Sequence, residues 1–78
     1  MKLPRGVPAD RLLRVLALYG YAVVRQKGSH VRLRHGGPPA HLITVPFHAS
    51  LKIGTLHAIL SEVAEIRSVD IEDLAGLL

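Results

Sequence analysis

The sequence contains no cysteine, which excludes disulfides, thiolate metal sites and cysteine nucleophiles. No apolar run approaches the roughly 20 residues that span a bilayer. The opening stretch, MKLPRGVPADR, lacks the apolar segment of a signal peptide. A cytoplasmic location follows as the expectation. Internal repeats and low-complexity tracts are missing as well. A chain of 78 residues has room for one core and none for a separate cofactor domain, so residues 1–78 are expected to form a single domain.

Acids are scarce in one part of the chain only. Residues 1–54 hold nine Lys or Arg and a single acid, Asp10, a net charge of +8. Residues 55–78 hold Arg67 against Glu62, Glu65, Asp70, Glu72 and Asp73, a net charge of −4. The positive field is therefore concentrated on one part of the fold, which suits a polyanionic partner, although a solvated basic surface would give the same count.

What is present is a folded module. An apolar share of 49% is too high for a disordered chain. Residues 1–8, with Pro4, Gly6 and Pro8, read as an irregular lead-in. From about Ala9 to Tyr19, apolar residues recur at Leu12, Leu13, Leu16 and Tyr19, with Val15 and Leu18 widening the stripe. That spacing predicts a helix, and Gly20 is suited to end it. YAVVRQK and HVRLRH flank Gly28-Ser29, a two-residue hairpin loop with glycine first, as a type II′ turn requires. Gly36-Gly37-Pro38-Pro39 makes a second turn, and HLITVP a third strand ending at Pro46. A second helix runs from about Gly54 or Thr55 to Ile66, with its stripe at Leu56, Ile59, Leu60, Val63 and Ile66. Ser68 or Asp70 is placed to cap a short last helix ending at Leu77 or Leu78. The expected class is α+β, in the order α-β-β-β-α with a short C-terminal helix. An antiparallel three-stranded sheet has the helices on one face and the other face open.

The hairpin register carries the functional reading. With Gly28-Ser29 as the loop, Lys27 lies opposite His30, Arg25 opposite Arg32, and Val23 opposite Arg34. Alternation puts these six on one face. Gln26, Val31, Val24, Leu33, Ala22 and His35 take the other, which is largely apolar and expected to pack on the helices. Arg25, Lys27, Arg32 and Arg34 then surround His30 on the open side. Like charges paired across strands destabilise a bare hairpin, and a bound phosphate backbone would supply the missing anions.

Histidine is the side chain suited to proton transfer near neutral pH. At His30 it could take the proton from a ribose 2′-OH while the neighbouring cations stabilise charge on the phosphoryl oxygens. A histidine beside a turn is also, more simply, a surface residue. His35 is expected on the core side in a structural role, and His57 at the surface. His41 and His48 flank the third strand as candidate second acids or bases. Five scattered histidines without cysteine have no metal-site spacing, so no metal and no other cofactor is expected. Lys52 precedes the second helix, where backbone N–H groups and a lysine together suit phosphate. An ordinary loop lysine before a glycine cap is the plainer reading.

Several segments resemble the HicA family of toxin–antitoxin modules, known as mRNA interferases. They are Gly20-Tyr21, the run Val24-Arg25-Gln26-Lys27-Gly28-Ser29-His30, Thr44-Val45-Pro46, Leu51-Lys52-Ile53-Gly54-Thr55-Leu56, and Ile59-Leu60. Each is weak alone; RQKGSH followed by TVP and LKIGTL is a specific combination. The resemblance implies a fold like that of double-stranded-RNA-binding domains and a catalytic histidine at His30. It further implies metal-independent cleavage of mRNA and neutralisation by a HicB antitoxin that occludes the site. Carried over by position, Gly28 and Ser29 shape the turn, and Arg25, Lys27 and Lys52 contact RNA. Ser29 in the loop and Arg32 and Arg34 on the open face complete the expected RNA contacts. After TVP the chain departs from the family's basic, proline-containing turn: Phe47-His48-Ala49-Ser50 stands there, leaving His48 as a candidate auxiliary group. Two other readings stay open. One is a non-catalytic RNA-binding module of the same fold, recognising helix shape and 2′-OH groups; the other is a domain whose basic face docks an acidic protein.

Overall fold

The computed structural model describes residues 2–78. Helix α1 (Ala9–Leu18) is followed by strands β1 (Ala22–Lys27), β2 (His30–His35) and β3 (His41–Pro46), then by helices α2 (Ile53–Arg67) and α3 (Ile71–Ala75). The sheet is antiparallel in the order β1-β2-β3. This is the expected α+β architecture, with α2 one residue longer at each end than the apolar pattern proposes and α3 shorter.

Period-two alternation divides β2 and β3 cleanly. Val31 and Leu33 of β2 and Ile43 and Val45 of β3 are buried, while Arg32, Arg34, Leu42 and Thr44 between them are exposed. The buried set meets Leu12 and Leu16 of α1, Leu56, Leu60 and Val63 of α2, and Leu74 of α3 in one apolar cluster. Full burial of each such side chain contributes roughly 1.5–3 kcal/mol. Leu18, expected to widen the α1 stripe, is instead 73% exposed; at the last helical position it has turned past the core. The lead-in is irregular but not idle. Leu3 and Val7 join the core, and Val7 O accepts from Leu51 N at 2.7 Å while Ala9 N donates to His48 O at 3.0 Å.

Strand β1 departs from expectation. The register holds at Lys27↔His30 and Arg25↔Arg32, then shifts between Val23 and Arg25, so that Val23 pairs with Leu33 and Ala22 with Arg34. Val24 is the extra residue of a β-bulge, which changes the facing of everything before it. Val23 therefore does not lie opposite Arg34; Ala22 does. Nor is the second face of β1 packed on the helices: all six of its residues are exposed. The sheet contacts of α1 and α2 fall chiefly on β3, leaving β1 as an outlying edge.

The end of the sheet away from the hairpin is closed by polar groups. Buried Tyr21 and Nδ1 of His41 lie 2.6 Å apart, and His41 Nε2 lies 2.6 Å from Glu62 Oε2 on α2. Burial pushes the Tyr21 phenol above its ordinary 10.0, against the pull of the Arg67 guanidinium. A phenol that keeps its proton donates to Nδ1, which leaves Nε2–H to donate to the carboxylate. Nδ1 of His35 accepts from Gly37 N at 2.8 Å and from Arg67, which also donates to Pro39 O. His35 thus has the structural role expected of it. His41 pairs with His35, at the opposite end of β2 from His30, and is removed from the candidates for a second acid or base.

Candidate functional site

The site is built on the β1–β2 turn. Gly28 has φ of +57°, the left-handed value that the first residue of a type II′ loop needs and that an L side chain resists. Ser29 O accepts a hydrogen bond from Phe47 N, which clips the turn to the end of β3. The following residue, His30, pairs with Lys27 on one side and Pro46 on the other. Its neighbour Val31 is 2% exposed in the core, so alternation holds the imidazole on the open face, in solvent.

A shallow cleft of about 560 Å³ opens there, lined by Arg25, Lys27, Gly28, Ser29, His30, Arg32 and Thr44. That volume lies in the range of small-ligand sites. The lining includes three cations, one imidazole, two hydroxyls and no carboxylate. Among the described residues the two salt bridges are Arg14–Asp10 and His41–Glu62, so the cations of the cleft have no acid partner. An anion entering it would meet charge that nothing within the fold neutralises.

Six of the seven lining residues are those the hairpin register brings together. Thr44 is the addition. It is paired with Arg32, and the signal for it was available in HLITVP, where inward Ile43 and Val45 oblige Thr44 to face outward. Three proposed residues lie elsewhere. Arg34 is on the open face but outside the cleft; a methyl group on Gly36 would sit 3.8 Å from Arg34 Nη1, which puts the guanidinium toward the far end of β2. Lys52 is exposed at the N-cap of α2, and His48 is exposed in the loop after β3; neither lines the cleft. No group of three His, Asp or Glu residues with the geometry to hold a metal ion occurs among the described residues, and none of their helices is long and apolar enough to cross a membrane.

No curated protein and no solved structure shows a significant match to the chain. The family described as "HicA toxin of bacterial toxin-antitoxin" matches residues 9–66, from the first residue of α1 through all but the last of α2, and so takes in every residue of the cleft. The chain belongs to the HicA toxin family and is thereby a toxin of a bacterial toxin–antitoxin system with a cognate antitoxin.

Proposed function

We propose that this toxin is a metal-independent endoribonuclease that cuts mRNA in the cytoplasm, with His30 as the catalytic residue. The observation that carries the reading is the exposed imidazole of His30 in a cleft shared with Arg25, Lys27 and Arg32 and free of carboxylates. RNA supplies what that cleft lacks, a phosphate, and what an imidazole acts on, a neighbouring 2′-OH.

In the proposed reaction His30 takes the 2′-OH proton as the 2′-oxygen attacks the adjacent phosphorus. The bond from phosphorus to the 5′-oxygen breaks, and the leaving oxygen recovers a proton from the imidazolium. General acid–base catalysis of this kind contributes about 10²- to 10⁴-fold. Arg25, Lys27 and Arg32 stabilise the charge that builds on the non-bridging oxygens. Ser29 and Thr44 supply neutral hydrogen-bond donors at the rim, while Arg34 and Lys52 extend the basic surface along the RNA.

A HicB-type antitoxin neutralises the toxin by covering this cleft with acidic groups. Expression in a bacterial host tests the whole reading. The wild-type chain is expected to arrest growth with loss of full-length mRNA, and co-expression of its antitoxin to restore both. Growth arrest with intact mRNA would favour a binding module that sequesters RNA without cutting it.

A further inference from the structure

The open face forms a grid of nine residues. Across the sheet, Lys27, His30 and Pro46 make the row nearest the turn, Arg25, Arg32 and Thr44 the next, and Ala22, Arg34 and Leu42 the third. Along β2 and β3 successive rows are separated by two residues of strand, roughly 7 Å, about the reach of one nucleotide. The first two rows hold the cleft and its charges. The third differs in chemistry. It has a single cation flanked by two apolar residues, and Leu42 is 46% exposed there.

A lone surface leucine is ordinary. The juxtaposition is not: Arg34 lies beside Leu42 on one face, its guanidinium is turned away from the cleft, and among the described residues it has no acid partner. Arg34 is paired with Leu42 across β2 and β3, and a planar guanidinium on a row with an exposed aliphatic side chain is suited to the π-face of a base rather than to a second phosphate. The bulge at Val24 sets only the β1 member of this row, placing Ala22 rather than the bulkier Val23 opposite Arg34.

We propose that Arg34 and Leu42 form a subsite for one unpaired base of single-stranded RNA, next to the cleft where the backbone is cut. The inference rests on the RNA-cleaving reading and narrows its substrate class. In a duplex the base faces are covered by their stacked neighbours, so a base can occupy the subsite only when it is splayed from a single strand.

The test is a binding measurement, which separates this proposal from the proposed chemistry. The His30→Ala protein is titrated by fluorescence anisotropy with a six-nucleotide single-stranded RNA. It is also titrated with versions that lack the base at each position in turn, and with the same RNA in a duplex. One abasic position is expected to weaken binding roughly tenfold, the scale of a lost stacking contact. In Leu42→Ser and Arg34→Met backgrounds the same abasic substitution is expected to change affinity less than twofold, with circular dichroism showing the fold retained. The duplex is expected to bind more weakly than the single strand. Abasic RNAs that all bind like the intact strand, an equal abasic loss in the variants, or a duplex bound as tightly would each overturn the proposal. Absence of RNA cleavage by the wild-type protein would overturn the catalytic reading without removing this coupling.

Discussion

Arg25 and Arg32 are direct partners across the β1–β2 pair, and neither has a carboxylate partner among the described residues. A like-charge pair at that position destabilises a sheet by about 0.2–1 kcal/mol, so the free protein carries a penalty that an anionic ligand relieves. Arg25→Thr is expected to raise the unfolding free energy by about that amount at low salt, measured by denaturant titration. Near 1 M salt the gain should shrink, as the charges are screened. Arg32→Glu should also keep the fold, because the side chain faces solvent opposite Arg25, while weakening RNA binding. A large drop in thermal stability for Arg32→Glu would mean that the side chain is buried.

The turn that presents His30 is predicted to be sensitive to backbone rather than to packing. A Cβ on Gly28 would meet nothing within 4 Å, yet its φ is positive. Gly28→Ala should therefore lower stability by about 1–2 kcal/mol, and Gly28→Asn by less, since asparagine tolerates that conformation. Thermal unfolding of the two variants checks the order. Gly20 is the contrasting case: a Cβ there would come within 2.7 Å of His35 Nε2, so Gly20→Ala should suffer a collision as well as backbone strain and fall further.

The polar clasp at the other end gives a pH prediction. Tyr21 holds its proton more tightly in the folded chain than its ordinary 10.0. The unfolded chain then loses that proton first as pH rises. The stability from this phenol is fully present below pH 10.0 and declines as pH climbs toward the raised folded value. Tyr21→Phe leaves Nδ1 of His41 without its donor and is expected to lower stability at neutral pH by about 1–3 kcal/mol. The difference between wild type and Tyr21→Phe should narrow above pH 10.0. A difference that stays constant or widens there would contradict the assignment.

Much of this was legible in the chain because two simple periods govern it. Leu12 and Leu16 in α1, and Val31, Leu33, Ile43 and Val45 in the sheet, are where helical and alternating spacing put them. Glycine followed by serine fixed the turn, and with it the pairings of His30, Lys27, Arg25 and Arg32. The bulge was not legible, since Val24 is as good a strand former as its neighbours and nothing marks it as extra. That one residue moved Val23 away from Arg34. The exposure of β1 was hidden for a related reason: alternation tells which face a residue takes, not whether a helix reaches far enough to cover it. The Tyr21–His41–Glu62 contact joins residues about 20 apart in sequence at each step, and no local pattern announces it. Thr44 could have been read from HLITVP, but only by extending the hairpin register across to β3.

The most direct test of the central claim is cleavage of a defined single-stranded RNA by purified wild-type protein and by His30→Ala, in chelator and without added metal. His30 is exposed and makes no side-chain hydrogen bond among the described residues, so the variant should keep the wild-type unfolding midpoint. The account predicts 5′-hydroxyl products from the wild type and a loss of at least about 10²-fold in rate for His30→Ala, the lower end of what a general base contributes. Undiminished cleavage by a folded His30→Ala protein would contradict it.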